Sequence, residues 1–213
     1  MSPRLSRAEQ NDRNRGVLLA AAMRVFLARG YHAATLEQIA DEAGFSKGAV
    51  YSRFDSKADM FLALLTDQIA ERAAQNASAA GRLAHSGGLP AVLELARQAE
   101  RAAPGWRLLV TEFRVHAARD PELRRRYAAA HARTVDGLAG VVASVAERSG
   151  HALSVPARQV AEVLLAIETG IAVEQLADRH AVGLAQLPSV LGQLAALFAG
   201  SPAAGEIHEM RQS

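Results

Sequence analysis

The sequence predicts an all-α protein, and three observations carry that expectation. Alanine and leucine dominate while aromatic residues make up only 5% of the chain, a balance that favours helix over sheet. Apolar residues recur every three or four positions along most of its length, and no segment alternates with period two. Serine, threonine or proline stands before several of these stripes and glycine after them, which is how helices start and stop.

Residues 1–15 carry Arg4, Arg7, Arg13 and Arg15 without any period and read as a flexible basic arm. Such an arm is either a solvated tail or a brace reaching into a DNA minor groove. From Val17 the residues Leu18, Ala21, Ala22, Val25 and Phe26 form a stripe that Gly30 stops, with Tyr31 placed to pack back. Thr35 opens a second helix with Gln38 as its capping-box partner, and Leu36, Ile39, Ala40 and Ala43 supply its apolar face. Gly44 ends it. Ser46 opens a third, short helix reaching about Phe54, and Ser56 opens a fourth with Asp59 at the capping-box position. Past a soft stretch at Ser78–Gly88, helical segments are expected over 89–102, 105–118, 121–148, 155–179 and 188–199, about nine helices in all. Pro121, Pro156 and Pro188 mark three of these starts.

Composition excludes several function classes. The 213 residues are half apolar and 22% charged, a globular balance with room for one compact domain and a small module. With no cysteine, disulfides, thiol catalysis and zinc–thiolate sites are ruled out. The formal net charge of +2 does not by itself announce a nucleic acid. No signal-peptide core opens the chain, and the charge-free stretch His180–Gly205 is broken by Gly183, Pro188 and Gly192, so a cytoplasmic protein without a membrane span is expected. Phosphate-binding, dinucleotide-binding, nucleophile-elbow and zinc-protease motifs are missing. Glu112 and His116 stand four apart and alone, which is not the Glu-x-x-His spacing of a carboxylate-bridged metal bundle. Neither an enzyme, a metal nor a cofactor is expected.

What remains is a DNA-reading motif. Gly44-Phe45-Ser46 joins two helices through a three-residue turn, and glycine suits the left-handed conformation such a reversal needs. On a helical wheel Val50 and Phe54 face inward, while Gly48 and Ser52 face out, with Lys47 and Tyr51 on one flank and Ala49 on the other. A small, polar outer surface lets a short helix enter the major groove, where bulk would clash. Lys47 and Tyr51 suit phosphates or base edges, and Ala49 a thymine methyl. Thr35 and Lys57, at the starts of the second and fourth helices, suit phosphates because free N–H groups point outward there. Only two of the 24 basic residues are lysines, Lys47 and Lys57, and both flank this motif.

Over residues 13–65 the chain resembles the N-terminal domain of the tetracycline-repressor (TetR) family of bacterial transcription regulators. Ala21-Ala22, Phe26, Gly30-Tyr31, Thr35, Ile39-Ala40, Ala43-Gly44, Ser46, Lys47-Gly48, Tyr51, Phe54 and Ser56-Lys57 carry the resemblance. It implies DNA contacts from Thr35, Ser46, Lys47, Gly48, Ala49, Tyr51, Ser52, Arg53 and Lys57. Ala49 and Arg53 depart from the common threonine and histidine, which bears on operator sequence rather than fold. The implied organisation is an arm over 1–15, a helix-turn-helix domain over 16–60 and a ligand-binding and dimerisation domain over 61–213.

In that larger domain, Trp106, Leu109, Val110 and Phe113 share one helical face edged by Glu112 and His116. The stripe is either ordinary core or the wall of an effector site for a small apolar molecule, formed by Trp106, Phe113 and His116 with Glu168. Glu168 itself lies within the apolar run Leu164–Ile167, where it would pair with an arginine, touch a ligand or sit at a subunit seam. The uncharged C-terminal stripe suggests a homodimer seam of Ile167, Gly170, Ile171, Leu191, Leu194 and Phe198. The function expected is a ligand-responsive regulator, a repressor that binds a palindromic double-stranded operator as a homodimer and is released by a small-molecule inducer. The rival is a DNA-binding regulator governed by a protein partner.

Overall fold

A computed structural model describes residues 6–82, 105–150, 152–178, 180–181, 183 and 185–199, leaving aside the side chains of 73–82, 198 and 199. Among the described residues there are eight helices and no strand: α1 (Arg7–Ala33), α2 (Leu36–Ala43), α3 (Lys47–Tyr51), α4 (Lys57–Arg82), α5 (Trp106–Ala117), α6 (Pro121–Arg148), α7 (Ala157–Ala177) and α8 (Leu187–Ala199). The all-α expectation holds. The helix expected over 89–102, the soft stretch beyond 82 and Arg4 lie outside the described residues.

Local sequence accounts for most boundaries. Thr35 caps α2, its hydroxyl accepting from the Gln38 amide at 3.2 Å while the Gln38 side chain accepts from the Thr35 amide at 3.2 Å. Gly44 takes the left-handed conformation (φ 69°, ψ 30°) that closes α2, and Ser46 caps α3. Asp120 caps α6 with its carboxylate on the amides of Glu122 and Leu123, and Pro121 occupies the first turn.

One boundary differs. Residues 7–15, expected as an arm, are the first turns of α1, which Ser6 and Glu9 start with a reciprocal capping box. The segment is exposed as far as Arg13, with Asn14 and Arg15 half-buried, and lacks an apolar stripe, so periodicity alone passes over it. Two bonds along it hold α1 against the rest of the chain. The Arg15 guanidinium donates to both carboxylate oxygens of Asp67 on α4, at 3.0 and 3.2 Å, and Asn11 accepts from Arg53 at 3.1 Å.

The core is continuous from the N-terminal helices into the body. Leu18, Phe26, Ile39 and Val50 are sealed from solvent together with Met60 and Phe61 of α4 and Phe113 of α5, and the cluster extends to Leu123, Tyr127 and Ala130 of α6. No gap in packing falls at the division expected near residue 60, because the start of α4 belongs to both parts. A second, smaller cluster of Val141 and Val145, with Leu138 and Leu164 against it, joins α6 to α7. The Arg158–Asp136 ion pair closes the same seam.

Helix α8 is different. It contains no charged residue, yet apart from Leu187 its described side chains are half-buried or exposed, with Val190, Leu194 and Leu197 at 41%, 44% and 70%. A 13-residue helix is marginal in water by itself. Helix α7 also shows a bare apolar stripe, Val163, Ala166, Gly170, Val173 and Leu176, all exposed.

Candidate nucleic-acid interface

Val50 and Phe54 are buried, as the wheel requires, and anchor α3 on α1 and α2. The opposite side of α3 is open, with Lys47, Gly48, Tyr51, Ser52 and Arg53 exposed and Ala49 half-buried. A Cβ added at Gly48 would meet nothing within 4 Å. The geometry therefore presents the short, small-faced helix that a major groove accepts.

The expected contact residues are not all equally free. Ser46 spends its hydroxyl on the Ala49 amide at 3.2 Å. The Ser52 hydroxyl donates back to the Ala49 carbonyl at 3.0 Å, and the Arg53 guanidinium donates to the same oxygen at 3.1 Å. Lys57 donates to the carbonyls of His32 and Ala34, both at 2.9 Å, and its ammonium lies 4.7 Å from the Tyr31 ring centre. Partial burial pulls the Lys57 ammonium below its ordinary range. Lys57 is thus first a fastener of the α1–α2 corner, with one N–H left over for a phosphate. It borders a cleft lined by Ala34, Thr35, Leu36, Tyr51, Asp55 and Ser56, which unites the two helix starts where phosphates were expected.

Sequence reasoning missed Glu37. The Tyr51 hydroxyl donates to its carboxylate at 2.8 Å. That bond lowers the Glu37 carboxyl below the usual range and raises the Tyr51 phenol. A carboxylate beside a DNA-contacting helix would repel phosphate, and this one already engages the Tyr51 hydroxyl. Glu37→Gln should tighten binding by a few-fold on matched and mismatched DNA alike, as titrations on both would read. Looser binding would mean that Glu37 contacts a base, in the manner of a carboxylate accepting from cytosine.

Of the residues proposed around an effector, Trp106, Phe113 and His116 share one ring cluster, with Phe113 and His116 ring centres 6.4 Å apart, and Glu168 is bonded elsewhere. Trp106 and Phe113 are buried in an aromatic stack, with Phe61 ring centres 5.9 Å from Trp106 and 4.2 Å from Phe113. His116 stands beside Tyr31 at 5.0 Å and His32 at 5.5 Å. Burial first, then the charges of His32, Lys57 and Arg119 against Asp120, keep its imidazole below the ordinary histidine range. Glu168 lies elsewhere, bonded to Arg107 at 2.9 Å across α5 and α7, with both side chains under a fifth exposed. Of its three open roles, the arginine pair is the one seen.

For the subunit seam, Gly170 and Leu194 are exposed and Leu191 half-buried, while Ile171 is buried and Ile167 half-buried within the chain. The outward stripe of α7 runs one position away from the isoleucines. Phe198 lies outside the described side chains. Among the described residues no helix is long and apolar enough to cross a membrane, and no cluster of three metal-ligating side chains occurs.

Residues 18–64 match the model of the tetR family of bacterial regulatory proteins. The HTH-type transcriptional activator FasR of Mycolicibacterium smegmatis is 54% identical over 54 residues, which cover 25% of each chain. The HTH-type transcriptional repressor BepR of Brucella suis is 40% identical over 62 residues, 29% of each chain. The match thus spans only about a quarter of the length of these curated relatives. Likeness of fold runs further: the transcriptional regulator FadR of Bacillus subtilis, solved with stearoyl-CoA, superimposes with a TM-score of 0.63 at 18% identity over 84% of this chain and 96% of its own.

Proposed function

We propose that this chain, which belongs to the tetR family of bacterial regulatory proteins and so to the DNA-binding transcriptional regulators, represses transcription as a homodimer on a two-half-site operator. The observation that carries the DNA reading is α3: anchored by Val50 and Phe54, it turns Lys47, Gly48 and Ala49 outward, with none of the described residues within 4 Å of a Cβ added at Gly48. Lys47 and Tyr51 take phosphate or base-edge contacts, Thr35 and Lys57 phosphates beside the cleft, and Gly48 the close approach. Arg53 and Ser52 act mainly by holding the end of α3.

The dimer reading rests on α7 and α8, whose exposed Val163, Gly170, Val173, Leu194 and Leu197 are apolar surface for a second copy, flanked on α7 by the exposed Glu162 and Glu174. Release by a small molecule is assigned to the Arg107–Glu168 pair, whose side chains are each under a fifth exposed between α5 and α7. Trp106 and Phe113 enter this reading as the seam that transmits movement rather than as the wall of the effector site.

Selection of bound sequences from random duplexes would supply the operator, and Gly48→Leu tests the reading on it. Glycine inside a helix costs roughly 0.5–1 kcal/mol against residues with a side chain, and open space surrounds this one, so the variant should melt no lower than the parent. Its bulk should nevertheless abolish operator binding. Undiminished binding by a folded Gly48→Leu protein would remove α3 from the groove.

A further inference from the structure

Where α1 breaks at Gly30 (φ 74°, ψ 168°), the amide of Tyr31 loses its place in the helical ladder. A side chain from 81 positions later supplies the acceptor: the Glu112 carboxylate on α5 receives the Tyr31 N–H at 2.7 Å. The same carboxylate lies against Gly30, where an added Cβ would stand 3.0 Å from Oε2. Positive φ favours glycine there, and a Cβ would also press on the carboxylate.

Around that bond the DNA-reading module meets the body. Tyr31, 2% exposed, contacts Phe61 at 5.4 Å, Phe113 at 5.0 Å and His116 at 5.0 Å. Lys57 ties the first turn of α4 to the carbonyls of His32 and Ala34, so the corner after α1 and the start of α4 move as one piece. The ring contacts tolerate sliding because apolar contact has little direction. A hydrogen bond weakens steeply with angle and distance. At the Tyr31 corner, the Glu112 bond is therefore the contact that fixes how the module sits on α5.

We infer that Glu112 is a positioning residue: by holding the Tyr31 amide it sets the placement of α3 on the body, and through it the half-site spacing that the dimer accepts. This inference rests on the two-half-site reading above. In a dimer joined through α7 and α8, a small rotation of each module about the Tyr31 corner is multiplied along the arm to α3, while each module keeps its own DNA-facing surface. Glu112 touches no part of that surface.

The test uses the full-length protein and duplexes bearing one selected half-site, or two at the selected spacing and at one base pair more or less. Glu112→Ala should keep its affinity for the single half-site, yet its preference for the selected spacing should fall by at least about fivefold, the lower range of coupling between distant sites. Glu112→Gln, which retains an acceptor oxygen at the same reach, should restore the preference. Glu112→Asp keeps the charge but is one methylene shorter, so it should move the preferred spacing or broaden it; this variant carries the test if the alanine protein does not fold. An unchanged spacing profile in both short variants overturns the inference. Equal losses on single and paired half-sites also overturn it, because the bond would then only support the fold. A parent protein without any spacing preference would instead remove the two-half-site reading on which it stands.

Discussion

Leu194→Glu should convert the protein from dimer to monomer and weaken operator binding about a hundredfold or more, the avidity that two linked half-sites provide. Leu194 is 44% exposed on α8, so a carboxylate placed there stays in water in the single chain and does not threaten its fold. Only a partner would force it out of water, where an unpaired charge is costly. Sedimentation velocity should show a monomer with unchanged helicity, and binding to a single half-site should survive. A folded variant that remains dimeric would move the seam off α8 and leave its apolar face without an occupant.

The second large effect is on stability. Phe113→Ala removes a ring that is 0% exposed, stacked at 22° on Phe61 and edge-on to Tyr31. Deleting a buried phenyl costs about 3–5 kcal/mol, and for a chain of this size that is a fall in melting temperature of roughly 6–20 °C. The loss should appear in calorimetry and carry DNA binding with it near the new midpoint. A variant that melts like the parent would show that the surroundings collapse readily onto the gap. The ring would then line a soft cavity, as the effector-site expectation had it.

How much of this was legible depends on how far the signal travels along the chain. Thr35 with Gln38, Gly44, Ser46 and Asp120-Pro121 act on neighbours within four residues, and their helices lie where the sequence places them. The start of α1 was also written locally, in Ser6 and Glu9, but no apolar stripe follows to draw attention to it. Contacts that span the fold leave no such trace. Arg15–Asp67, Tyr31–Glu112 and Arg107–Glu168 join positions 52, 81 and 61 apart, and nothing in spacing selects one carboxylate over another. On α7 both the Ile167–Ile171 side and the Val163–Gly170–Val173 side are apolar, so the pattern does not say which of them the chain itself covers. On the open side of α3 the small, basic and phenolic residues stand exposed or half-buried, as the helical wheel has them. The present bonds, Tyr51 to Glu37 and Lys57 to two carbonyls, came only from the folded arrangement.

On the proposed pairing of two copies, the bare α8 helix has a consequence for dosage. When part of a fold is completed by a second copy, association stabilises the native state by mass action, so the melting temperature climbs with total protein concentration. Promoter occupancy then inherits the same law. Where subunits are scarce, the concentration of assembled pairs grows as the square of the number of chains. A twofold change in synthesis is therefore read at the operator as nearly fourfold. A regulator built this way responds to its own abundance as well as to any signal, and a cell holding it near the assembly threshold has a steep control that needs no additional binding site.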